Sequence, residues 1–165
     1  PHAGDRAFEI GHDLVAVARQ RVEAFEARHP ELPVTLEAPA SLTADVDRAQ
    51  IELCLDNLLE NAAKHAPSGA PYAVTIGEQG ANVEIRVSDR GPGVPRALRR
   101  RVFLPFERGD DRLSRATDGT GLGLALVRAA AEAHGGAAEI DDGARTGTTV
   151  LLRLPRRAPA PEEDA

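Results

Sequence analysis

Asn57, Asn61 and Lys64 are the first residues in this chain whose types and spacing suggest chemistry. Steps of four and three place them on one stripe of a helix. Asparagine is a weak helix former. Its amide can serve a metal ion, a phosphate or a neighbouring loop. His65 lies at the edge of the stripe. Lys64 is the only lysine in the chain, so where any cation would do, arginine is used.

Four further pieces carry chemistry. Asp89-Arg90-Gly91-Pro92-Gly93 follows an alternating stretch. A carboxylate beside two glycines lets the backbone approach a flat ligand while the acid accepts from an amino group; an ordinary Asp-Gly turn has the same residues. Gly119-Thr120-Gly121-Leu122-Gly123 opens a helix. Bare N–H groups and the helix dipole there favour phosphate. The sequence is neither a Gly-Lys-Ser/Thr phosphate loop nor a dinucleotide fingerprint, so taken alone it is equally a tight loop. Phe103 and Phe106 flank Pro105 in a polar segment, with Arg108 just beyond. Two rings in such a segment predict anchors that dock it, and Arg108 is either a phosphate contact or a surface arginine. Gly147-Thr148-Thr149 offers a small hydroxyl at the start of a strand.

Periodicity says what must position these residues. Residues 47–66 read as one helix capped by Asp47, with Ile51, Cys54, Leu55, Leu58, Leu59 and Ala62 on its apolar side and Glu52, Asp56 and Glu60 on its polar side. Residues 13–29 form an amphipathic helix capped by Asp13 and stopped by Pro30. Residues 33–37 alternate as a strand, and residues 41–46 suggest a second short one. Residues 72–78 and 82–89 form a hairpin about Gln79-Gly80. Residues 90–119 exceed an ordinary connection and read as a lid, about residues 93–119, with a helical piece over 95–103. Residues 120–134 form a helix stopped by Gly135-Gly136, and residues 137–141 and 148–154 a closing hairpin. Residues 1–12 are expected to be ragged and residues 155–165 disordered. The fold class is α+β: a two-layer sandwich with a mixed, mostly antiparallel sheet and helices on one face.

Composition narrows the class. With 165 residues, 42% hydrophobic, the chain can build one real core. Four phenylalanines and one tyrosine leave that core to aliphatic side chains. A net charge of −6 argues against nucleic acid as the main partner. The single cysteine, Cys54, is expected to be a reduced core residue.

The motifs gain meaning from their order. DNLLENAAKHAP, DRGPGVP, FLPFERGD and GTGLGLALV follow one another as do the N box, first glycine box, F box and second glycine box of bacterial sensor histidine kinases. Residues 13–154 thus resemble the ATP-binding catalytic domain of that family. Its wider ATPase superfamily includes type II topoisomerases, ninety-kilodalton heat-shock proteins and mismatch-repair proteins. The resemblance implies a Bergerat-type ATP-binding fold and Mg-ATP as ligand. It implies that Asn61 ligates Mg²⁺, with Asn57 contributing through phosphate or water, and that Lys64 and His65 meet the phosphates. Asp89 would pair with the adenine amino group, with Gly93 and Val94 beside the base, Thr148 nearby and Gly91 among the nucleotide-binding residues. Arg108 would reach the γ-phosphate, while Gly119, Thr120, Gly121, Leu122 and Gly123 wrap the phosphates and Phe103 and Phe106 anchor the lid. Asn61, Lys64 and Arg108 would be the catalytic residues. Glu107 departs from the aromatic residue often found in the F box, which bears on lid packing, and Glu60 reads as a bystander.

The family further implies γ-phosphoryl transfer to a histidine on a separate dimerisation domain, for relay to a response regulator. The acceptor motif is missing here, since His12-Asp13-Leu14 continues as Val15-Ala16. The chain is therefore expected to bind Mg-ATP yet label itself negligibly. The parent protein is expected in the cytoplasmic membrane, with this domain cytoplasmic and touching neither membrane nor nucleic acid. An anti-sigma-factor-type serine kinase of the same fold is the alternative, opposed by the F box and long lid. A degenerate, partner-binding fold is opposed by the intact Asn61, Asp89 and lid glycines.

Overall fold

The structure, a computed structural model, describes residues 11–65, 72–106, 121–143 and 146–157. In chain order the elements are β1 (His12–Asp13), α1 (Leu14–Arg28), β2 (Val34–Glu37), β3 (Thr43–Ala44), α2 (Arg48–His65), β4 (Tyr72–Gln79), β5 (Asn82–Asp89), two 3-10 turns (Arg96–Leu98 and Arg101–Phe103), α3 (Gly123–Ala133), β6 (Ala137–Ile140) and β7 (Thr148–Pro155). The main sheet runs β2-β4-β5-β7-β6. Only the β2–β4 pair is parallel. This is the expected two-layer α+β sandwich.

The core lies between the sheet and helices α1, α2 and α3. Val74, Ile76, Val83, Ile85, Val87, Val150, Leu152 and Leu154 face it from the strands. The α2 stripe of Ile51, Cys54, Leu55, Leu58, Leu59 and Ala62 is buried against them. Each fully buried aliphatic side chain contributes about 1.5–3 kcal/mol of transfer free energy, so this face holds α2 in place. Burial pushes the Cys54 thiol up to about 12, as an inert core thiol requires. The sheet's other face is closed by ion pairs. Glu84, only 5% exposed, accepts from Arg86 at 2.7 Å and Arg153 at 3.0 Å, and Arg86 also reaches Asp141.

Both expected caps form. Asp47 Oδ1 accepts the Gln50 N–H at 3.2 Å. Asp13 Oδ1 accepts the Val15 N–H at 3.0 Å and also the Leu42 N–H at 3.1 Å, tying α1 to the loop before β3. The buried His134 joins the far ends of two helices. Its Nε2 accepts the Asp47 N–H at 3.0 Å, and its Nδ1 donates to the Ala130 carbonyl at 2.7 Å. Since an N–H can only donate and a carbonyl only accept, the neutral Nδ1–H tautomer is fixed. Thus α3 runs antiparallel to α2, its first turn beside the last turns of α2.

Five boundaries differ from expectation. The strand expected over 41–46 is only Thr43–Ala44, and it pairs outside the main sheet with His12–Asp13. Gly11 and His12 are therefore not ragged; the Gly11 N–H also reaches Asp45 Oδ1 at 3.2 Å. Pro155 ends β7 rather than opening a disordered tail. Arg156 follows in order: its N–H donates to Ala81 O at 3.0 Å and its carbonyl accepts from Asp45 N at 2.9 Å. Backbone pairing with distant partners sets these limits, and local periodicity does not record it. The expected helical piece over 95–103 is two 3-10 turns. The helix expected from Thr120 starts at Gly123, because Gly121 has φ +70° and cannot begin a right-handed helix. Residues 1–10, 66–71, 107–120, 144–145 and 158–165 lie outside the described set.

Candidate functional site

Three chain segments distant in sequence meet at one end of the sandwich, around the last turns of α2. Asn57 is half-buried there, and its Nδ2 is buried with no hydrogen-bond partner among the described residues. The first turn of α3 lies against it: a Cβ built on Gly123 would sit 3.4 Å from Asn57 Oδ1. The N-terminus of α3, with its unsatisfied N–H groups and positive dipole end, is thereby brought to the asparagine stripe. Asn61 is half-buried, and Lys64 and His65 are exposed one turn on. Glu60 points away from this stripe toward α1. Its Oε1 accepts from Arg28 at 3.1 Å and meets His29 Nε2 at 3.3 Å. Asp56 is likewise turned toward α1, its Oδ2 paired with Arg21 at 3.2 Å.

The segment after β5 packs under the end of α2. A Cβ on Gly91 would lie 2.6 Å from the His65 carbonyl, so only glycine allows that approach. Asp89 is 7% exposed. Its Oδ1 accepts two backbone N–H groups, Gly91 at 2.8 Å and Thr148 at 3.2 Å. Among the described residues no donor meets Oδ2. The third segment closes around it: a Cβ on Gly147, which has φ +78°, would collide with the Asp89 carbonyl. Gly93, at φ +80°, lies against Gly147 in turn. Val94 is half-buried, and its carbonyl accepts from Arg99 Nε at 3.1 Å. Thr148 pairs with Asp89 in register, and behind it Ser88 Oγ and Thr149 Oγ1 share a hydrogen bond of 2.8 Å.

The two phenylalanines part company. Phe103 is 4% exposed and joins the core; Phe106 is 73% exposed. At Phe106 the backbone makes the attachment: its N–H donates to the Gly121 carbonyl at 3.1 Å, and its φ is +62°. Gly121 is packed against Phe106, where a Cβ would be 3.0 Å from the Phe106 Cα. Leu122 is half-buried. Arg108, Gly119 and Thr120 lie outside the described residues.

Taken together, Asn57, Asp89, Gly91, Gly93, Gly147, Thr148 and Gly123 surround one end of the sheet. Orphaned Asn57 Nδ2 and a cradle that added Cβ atoms would fill fit a flat polar ligand carrying anionic groups. Sequence reasoning passed over Tyr72 and His134. The signal for Tyr72 was its being the chain's only tyrosine at the head of a strand; His134 read only as the end of a helix.

The model of the family described as histidine kinase-, DNA gyrase B-, and HSP90-like ATPase matches residues 46–158. The sensor-like histidine kinase SenX3 of Mycobacterium tuberculosis is 38% identical over 149 residues, which are 90% of this chain and 36% of SenX3. The chain thus spans about a third of the length of the curated relatives it matches first. Among solved structures, the mycobacterial sensor histidine kinase MprB superimposes with a TM-score of 0.78 at 28% identity, covering 90% of this chain and 98% of that one. The ATP-binding domain of PrrB from Mycobacterium tuberculosis has a TM-score of 0.72 at 30% identity, covering 89% and 96%. Relatives so named do not favour a serine kinase of the anti-sigma-factor type. With the described parts of the four boxes at one end of the same fold, the chain belongs to the histidine kinase-, DNA gyrase B-, and HSP90-like ATPase family, as an ATP-binding catalytic domain of the sensor histidine kinase type.

Proposed function

We propose that this domain binds Mg-ATP at the α2–β5–β7 cleft and presents its γ-phosphate to a histidine on a separate dimerisation domain of a sensor kinase. The observation that carries the reading is the Asp89 cradle: one carboxylate oxygen saturated by Gly91 and Thr148, the other without a donor among the described residues, and glycines where any side chain would intrude. Asp89 takes the adenine amino group, with Gly91, Gly93, Val94 and Thr148 about the base. Asn61 would supply an amide oxygen to Mg²⁺, which prefers oxygen ligands. Asn57 reaches phosphate or metal-bound water through its unpaired Nδ2. Lys64, His65, Arg108 and the backbone of Gly119, Thr120, Gly121, Leu122 and Gly123 neutralise and wrap the phosphates. The bound metal neutralises charge on the phosphates. PrrB, by its description an ATP-binding domain, supports the nucleotide half of this reading.

Phosphoryl transfer of this kind asks for position and charge neutralisation rather than a covalent enzyme intermediate. Glu60, held by Arg28 and His29, is tied off from the cleft and serves as no base. The acceptor histidine and its base belong to the partner domain, and the phosphoryl group passes on to a response regulator. The parent kinase is anchored in the cytoplasmic membrane, with this domain on the cytoplasmic side; among the described residues no helix is long and apolar enough to cross a membrane. Incubation with γ-labelled ATP tests the reading. The chain alone stays unlabelled, and adding the parent's histidine-bearing domain yields acid-labile phosphate on that domain. Strong self-labelling of the isolated chain, or no transfer to the added domain, would contradict it.

A further inference from the structure

The helix-facing side of the sheet ends in two cross-strand rows. The inner row is apolar: Val74 pairs with Val87, and Val87 with Val150. The next row outward is polar. Asp89 pairs with Thr148, and one step beyond the Ala73–Ser88 pair the same antiparallel register sets Tyr72 opposite Asp89. Alternation along the strands turns Tyr72, Asp89 and Thr148 to the same face as the valines. The sheet therefore stops being greasy in one step, at the cleft.

Tyr72 is 1% exposed, and among the described residues its hydroxyl has no hydrogen-bond partner. A buried polar atom left unpaired is costly and rare in a native fold. Packing does not call for the oxygen. The ring meets Phe25 edge-on, centroids 6.4 Å apart, and a phenylalanine would fill that space equally. Burial first, then the Asp89 carboxylate and Glu31, push the phenol above its ordinary pKa. The group thus stays protonated within the field of Asp89. Asp89 Oδ1 is already saturated, so the row holds two uncommitted oxygens, Asp89 Oδ2 and Tyr72 Oη.

We infer that Tyr72 is a specificity-determining residue for the nucleotide base, reading the purine 6-amino edge together with Asp89. An exocyclic amino group carries two N–H donors, and these two oxygens are two acceptors. The inference rests on the nucleotide-site reading above and adds a residue to it.

The test is Tyr72→Phe, which keeps the ring and removes only the oxygen. Mg-ATP and Mg-purine riboside triphosphate, which carries a hydrogen in place of the amino group, are titrated calorimetrically into both proteins, and melting temperatures are compared. The expected result is about three- to ten-fold weaker ATP binding, the scale of one hydrogen bond. Purine riboside triphosphate should weaken by less than about two-fold, and the melting temperature should hold or rise as an orphaned hydroxyl is removed. Unchanged ATP affinity, or equal weakening for both nucleotides, would overturn the role of Tyr72 and leave the nucleotide site standing. Failure of the wild-type chain to bind ATP would overturn both.

Discussion

Gly147 shows how little tolerance the site has at single positions. Its φ of +78° is a conformation that residues with a Cβ rarely adopt, and the Cβ would strike the Asp89 carbonyl. Strain and collision act at the same place, on the strand end that holds the Asp89 carboxylate. Gly147→Ala is expected to cost at least about 2 kcal/mol of stability and to weaken ATP binding by more than ten-fold. Denaturant unfolding with parallel nucleotide titration checks both, and an alanine variant that bound normally would mean the cradle is not built as described. Single residues were also where the sequence spoke least clearly. An Asn-x-x-x-Asn step or an Asp-Gly turn has ordinary uses. Only the assembled cluster, with Asn57 facing Gly123 and Asp89 facing Gly147, singles out these copies.

At the scale of elements, α2 and α3 form an antiparallel pair held at one end by His134 and meeting at the other across Asn57 and Gly123. The segment between β5 and α3 is pinned to this pair through Phe103, which is buried, while the Phe106 ring is exposed and only its backbone is tied, to Gly121. Phe103→Ala should therefore lose about 3 kcal/mol of stability by opening a cavity, whereas Phe106→Ala should stay within about 0.5 kcal/mol. In the same pair of variants, Phe106→Ala should slow phosphoryl transfer more than it weakens ATP binding. Equal loss of stability in both variants would contradict the division. Periodicity revealed α1, α2, β4, β5 and β7 because each carries a one-sided apolar pattern that the core then buries. It could not reveal β1 and β3, two residues each, whose pairing depends on backbone groups far apart in the chain. Nor could it separate Phe103 from Phe106, since both rings look alike in sequence and only the left-handed backbone at Phe106 turns its ring outward.

The whole molecule depends on a few carboxylates that stitch its parts together. The Leu42 N–H, aided by that of Val15, holds the Asp13 carboxyl below its ordinary value against partial desolvation. The Gly143 N–H, with Arg86, does the same for Asp141. A folded-state pKa below the unfolded one contributes stability that is present above the ordinary carboxyl value of 3.8 and lost as pH falls through the folded value. Stability should thus be flat with respect to these groups above about pH 5 and fall below about pH 4. Denaturation at a series of pH values checks this, and Asp13→Asn, which keeps an acceptor oxygen, should make the acid limb shallower. An acid limb unaltered by that change would remove Asp13 from the account. The overall class was legible because motif order survives even where single motifs are ambiguous. The tying of Gly11 and Arg156 to Asp45 was not, since it rests on bonds between residues far apart in the chain, Asp45 N to the Arg156 carbonyl spanning more than a hundred positions.

The central claim is that Asp89 recognises the base of ATP within this cleft, and calorimetric titration of Mg-ATP into the chain and into Asp89→Asn tests it most directly. An asparagine keeps the oxygen that accepts from Gly91 and Thr148, so the fold should survive, while the second oxygen becomes an amide donor facing the adenine amino group. The account predicts one ATP bound per wild-type chain and binding weakened by at least about a hundred-fold in the variant, with little change in melting temperature. ATP binding of equal strength by the two proteins, or none by the wild type, would contradict it.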